Sequence, residues 1–176
     1  MPGAESYTFV AKALHWSSAL LVLGLLAVGL WMTGLPFSRL KLVVYAWHKW
    51  IGLTVLALAL ARIAWRFRVP PPALPVALAP WEKRLAPLGH WLLLALVLAQ
   101  PVSGWLMNSA GGVTVIWFGV LPLPDRVTRN QNLFAALRTL HAALAFTLIG
   151  MIALHVAAVV RHDILRRDGI LRRMWF

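Results

Sequence analysis

The chain has 176 residues, 61% of them hydrophobic and 12% charged, with a mean hydropathy of +0.76; a soluble domain carries about 25% charged residues, so a membrane protein is expected. Its 17 Lys and Arg against five acids give a net charge of +12, which fits a positive-inside bias and attraction to anionic lipid; the bases are scattered around apolar spans and form no stripe, which argues against nucleic acid as a partner. The absence of cysteine excludes disulfides, thiolate-held iron–sulfur clusters and covalent haem attachment.

Four apolar segments are long enough to span a bilayer, roughly residues 9–31, 42–65, 88–107 and 133–160. Thr8 or Ser6 is expected to cap the first, and Gly34 and Pro36 to close it. That segment is too long, and lacks the small-residue site, for a cleaved signal peptide, so it is read as a retained helix. The second should end at the run Val69-Pro70-Pro71-Pro72. Pro87 should lie in the first turn of the third, Pro101 should kink it, and Gly111-Gly112 should follow it. The fourth is the longest, which permits tilt. Residues 67–86 should form a stiff Pro-rich loop, and the apolar and aromatic mix of residues 109–130 suggests a segment lying on the membrane surface over the bundle. Eleven Lys and Arg fall on the side that holds both termini and six on the other, so both termini are expected in the cytoplasm. Most of the ten tryptophans fall near span ends, where an interfacial belt places them.

His141 and His155 lie fourteen residues apart on the fourth segment. That is about four turns and about 21 Å of rise, so the two rings share nearly one face at two depths. An ionisable residue within a span is costly without a partner and points to function. His15 and His48 lie at matching depths in the first and second segments: His15 pairs with His155 near the inner face, and His48 with His141 near the outer. Each pair comes from two different helices, as an axial bis-imidazole haem in a bundle requires. His90 also lies near the inner face, as a rival ligand, a propionate donor or part of a quinone pocket. His162 fits a solvated or propionate-bonding role. Arg62, fourteen residues after His48, can meet a propionate or snorkel to the surface, and Arg138, one turn before His141, admits the same two readings. Gly29, Gly52 and Gly150 fit either close approach of a flat macrocycle or ordinary small-residue packing.

The chain resembles the bacterial cytochrome b561 family, related to the cytochrome b subunits of nickel–iron hydrogenases. The resemblance is carried by Leu14-His15-Trp16, Trp47-His48-Lys49 with Gly52, Leu88-Gly89-His90, Pro101-Val102-Ser103-Gly104-Trp105, His141, Leu154-His155 with His162, and the ending Gly169-Ile170-Leu171-Arg172-Arg173-Met174. It implies an all-α four-helix membrane bundle, residues 1–176 as one domain, in the bacterial inner membrane. It also implies two non-covalent b-type haems, held by His15 with His155 and by His48 with His141. The function implied is electron transfer between a periplasmic-side donor, superoxide among the candidates, and ubiquinone. The alternative is a membrane-anchor subunit of a periplasmic dehydrogenase or hydrogenase. A haem-free transport protein using its histidines for metal or protons is a third reading, from another class.

Overall fold

The computed structural model describes residues 6–74 and 78–176. Four long helices account for most of it: α1, Phe9–Thr33; α2, Arg39–Arg68; α3, Pro80–Ala110; and α4, Gln131–Val160. Each packs along its sequence neighbour. All four are long and apolar enough to cross a membrane. Their starts are set by local chemistry. The hydroxyl of Thr8 accepts from the Ala11 amide, that of Ser38 from Lys41, and the Asn130 carbonyl oxygen from Leu133.

The helices run further than the sequence suggested. Ser38 starts α2 at Arg39 rather than at residue 42. Helix α3 starts at Pro80 rather than at residue 88, because Pro80 occupies the first turn and Glu82 reaches back to accept from the Ala79 amide at 2.9 Å. Pro87, expected in the first turn, therefore lies inside the helix. The stiff loop expected over 67–86 shrinks to 69–79, with residues 75–77 outside the described part.

Two short strands, β1 (Ile116–Trp117) and β2 (Leu121–Pro122), pair antiparallel within the loop between α3 and α4. This hairpin docks on α2 by two reciprocal bonds: the Trp50 indole donates to the Ile116 carbonyl at 2.6 Å, and the Trp117 indole donates to the Trp50 carbonyl at 3.1 Å. After α4 the chain continues through a π-helical turn, Arg161–Leu165, and a short 3₁₀ helix, Leu171–Arg173. The tail then folds back under α1. Trp16 donates to the Met174 carbonyl at 2.9 Å and Lys12 to the Trp175 carbonyl at 2.7 Å. One end of the bundle thus holds both termini, and the opposite end carries the β-hairpin.

The buried core is a small cluster built on Val22, Val55, Ala59, Leu96, Val97 and Leu148. One residue of it from each helix marks the midpoint of a fourteen-residue frame. Val22 lies between His15 and Gly29, Val55 between His48 and Arg62, Val97 between His90 and Gly104, and Leu148 between His141 and His155. Seven residues are two turns less about 20°, so each trio shares a face. The bundle therefore has three layers: His15, Arg62, His90 and His155 at the terminal end, the apolar quartet in the middle, and Gly29, His48, Gly104 and His141 at the hairpin end.

Candidate haem sites

At the hairpin layer, the rings of His48 and His141 are 6.5 Å apart between centroids. At the terminal layer, those of His15 and His155 are also 6.5 Å apart. A metal ion bound at about 2 Å from one nitrogen of each of two imidazoles on its opposite sides sets the ring centroids roughly 6.4 Å apart, and both pairs fit that spacing. Among the described residues no group of three or more His, Cys, Asp or Glu is placed to hold a bare ion. Each pair therefore suits an ion whose remaining ligands come from a macrocycle.

The hairpin layer has the shape for one. A cavity of about 750 Å³ is lined there by His48, His141, Gly29, Gly52 and Gly104, with Lys49 and Arg138 also on its wall. That volume lies within the range of cofactor pockets. A methyl group on Gly29 would lie 3.2 Å from Cε1 of His48, and one on Gly104 would lie 3.1 Å from Cε1 of His141. Both are tighter than ordinary contacts, so a side chain at either position would have to push its ring by a few tenths of an ångström. Three buried side-chain atoms on the cavity's residues, Nδ1 of His48, Oε1 of Gln100 and Nε1 of Trp105, have no hydrogen-bond partner. Polar atoms stranded like this are costly unless a ligand meets them.

At the terminal layer Arg62 places Nη2 3.3 Å from Nδ1 of His15 and forms no ion pair with a carboxylate among the described residues. The ring of His90 is 5.7 Å from that of His155, closer than His15 is, and His90 is exposed where His15 and His155 are half-buried. His162 is buried rather than solvated. It is 8% exposed, with Nδ1 2.6 Å from Asp168 and Nε2 3.8 Å from Glu82. Gly150 faces open space, so its Cβ position meets nothing. Arg138 is exposed on the cavity wall.

Three residues escaped the sequence reading. Ser103 and Gln100 both bond to His141; the signal for Gln100 was its place one turn before Gly104, and for Ser103 its place one turn after Gln100. Glu82 joins α3 to the segment after α4, accepting from Arg161 at 2.7 Å and from Arg166 at 2.8 Å. Its signal was the pairing of Pro80 with an acid two residues later, at a helix start.

A four-helix membrane bundle with facing histidine pairs at two levels is the architecture of a membrane cytochrome b. A family model described as prokaryotic cytochrome b561 matches residues 6–176. Cytochrome b561 homolog 2 of Escherichia coli (strain K12) is 29% identical over 97% of this chain and 91% of its own length. The probable superoxide oxidase CybB of Yersinia pestis is 28% identical over 97% of this chain and 96% of its own, and cytochrome b561 homolog 1 of Escherichia coli (strain K12) is 27% identical over 72% of each. The chain belongs to the prokaryotic cytochrome b561 family: it is a multi-pass membrane protein that binds b-type haem and transfers electrons.

Proposed function

We propose that this protein holds two b-type haems, one between His48 and His141 and one between His15 and His155, and carries electrons from a periplasmic-side donor to ubiquinone. The observation that carries the reading is the equal 6.5 Å separation of both ring pairs at levels fourteen residues apart. The His90–His155 spacing of 5.7 Å falls short of that for two rings on opposite sides of one ion, which supports His15 as the ligand and leaves His90 to bond a propionate or a quinone.

When bound, the haems supply reversible one-electron chemistry at both ends of the bundle, with no open iron position for oxygen. The chain's own residues do the rest. The apolar quartet excludes water between the layers. Arg62, which makes no ion pair with a carboxylate among the described residues, suits a propionate in a two-pronged bond; at the hairpin level Arg138 suits the same bond, and Lys49 offers a point charge. The eleven-to-six charge asymmetry supports an inner-membrane protein with the terminal end in the cytoplasm. The hairpin end then faces the periplasm with Arg39, Lys41, Lys49, Arg126, Arg129 and Arg138, a cationic rim suited to an anionic donor. The name of the relative CybB favours superoxide as that donor. One electron from each of two superoxide anions, which leave as dioxygen, then reduces one ubiquinone to ubiquinol with uptake of two protons.

Reduced-minus-oxidised spectra with haem counted per chain test this. Two haems are expected in the native protein. One should be lost in each of His15→Ala, His48→Ala, His141→Ala and His155→Ala, and none in His162→Ala. Loss in His90→Ala with retention in His15→Ala would overturn the terminal pairing.

A further inference from the structure

We propose that Ser103 and Gln100 fix His141 in the tautomer protonated on Nδ1, and that Ser103 thereby tunes the haem at the hairpin level. The inference rests on the reading of His141 as an axial ligand. Ser103 is 5% exposed, and its Oγ lies 2.7 Å from the Gln100 carbonyl oxygen. A carbonyl only accepts, so the one hydroxyl proton of Ser103 is committed there. The same Oγ lies 2.9 Å from Nδ1 of His141. Toward that ring it can only accept, so Nδ1 carries the proton.

Gln100 gives the same answer from the other side. Its amide nitrogen lies 3.2 Å from the carbonyl oxygen of His141, which identifies it as the donating end of the amide. That nitrogen is also 3.3 Å from Nε2 of His141, so Nε2 presents a lone pair. Nε2 is therefore the unprotonated nitrogen whose lone pair a metal would take in place of the Gln100 amide, which keeps the His141 carbonyl as its acceptor.

The other rings differ. Nδ1 of His48 has no partner, and Nδ1 of His15 faces Arg62, which has no acceptor to offer. A donor–acceptor bond on Nδ1–H makes the imidazole a stronger electron donor to its metal and favours the oxidised iron, whereas the positive charge of Arg62 favours the reduced one. Ser103 therefore lowers the potential of the hairpin-end haem below the value it would have without that bond. Ser103 is a positioning residue: it acts through His141.

The test compares Ser103→Thr, which keeps the acceptor, with Ser103→Val, which has the same shape without it. Each is purified in detergent, its haem counted, and both haems titrated by spectroelectrochemistry with electron paramagnetic resonance of the oxidised protein. Ser103→Thr should match the native protein. In Ser103→Val one haem should become easier to reduce, its oxidised-to-reduced ratio at fixed ambient potential falling about fivefold, with a changed resonance signature and the other haem unmoved. Loss of that haem in Ser103→Val would make the role of Ser103 structural and overturn the tuning. Ser103→Val indistinguishable from Ser103→Thr would overturn it while His141→Ala still loses a haem. If His141→Ala keeps both haems, the ligand reading fails and this inference with it.

Discussion

One carbon atom decides the hairpin layer at two positions. The Cβ of any other residue at 29 or 104 would stand 3.2 Å and 3.1 Å from the rings of His48 and His141, closer than ordinary contact. A ring that gave way would move relative to its partner, now at 6.5 Å. Gly29→Ala and Gly104→Ala should therefore weaken haem binding at this level by roughly tenfold, as loss of supporting contacts around a metal site commonly does. Haem titration into the haem-depleted protein reads this directly. Gly24→Ala is the control: its Cβ meets nothing within 4 Å, so haem content should stay native, with a gain of about 0.5–1 kcal/mol in helix stability. Unchanged haem affinity in both test variants would show that the rings move freely and that glycine is ordinary small-residue packing. The sequence offered both readings for Gly29 and could not separate them, because the deciding quantity is a distance between helices.

Among the helices, the repeating unit is the fourteen-residue frame with a buried residue at its centre. Its histidines were legible in the sequence because an imidazole in an apolar run is conspicuous. The other members were not. Gly104 is one of 12 glycines, and Val22, Val55 and Val97 are valines among many. Only their shared phase with His15, His48 and His90 marks them, and that phase becomes visible once the helices are aligned by depth. The start of α3 was misplaced because Pro87 looked like a first-turn proline, whereas Pro80 with Glu82 makes the actual start. Glu82 does more than begin a helix. It is 5% exposed and holds Arg161 and Arg166, tying α3 to the π-helical turn that follows α4. Glu82→Gln keeps the shape and can still accept from Ala79 while losing the charge. The expected outcome is a lower melting temperature, with both haems retained and a weaker dependence of melting on salt than in the native protein. A melting curve that superimposes on the native one would mean that the turn is held by its packing alone.

The molecule as a whole is asymmetric in charge, and that asymmetry carries its orientation. Eleven Lys and Arg lie at the end holding both termini and the α2–α3 connection, against six at the hairpin end. An excess near span ends is generally retained in the cytoplasm during insertion, which is the orientation proposed above. The hairpin Ile116–Pro122 should then face the periplasm, within reach of a donor that never enters the cell. This expectation is drawn from sequence alone because it depends on counts of charge, while packing depends on contacts. The chain contains no cysteine, so a single introduced thiol reports its own side of the membrane. Val120 is 83% exposed at the hairpin tip, and Ser6 lies at the terminal end beside Arg173. In cells whose outer membrane has been made permeable, a membrane-impermeant maleimide should label Val120→Cys at once. It should reach Ser6→Cys only after the inner membrane is disrupted. The reverse pattern would invert the protein and place the cationic rim in the cytoplasm. The haem pairs would keep their ligands, but a donor confined to the periplasm would then meet the terminal end, where Arg62 and His90 lie.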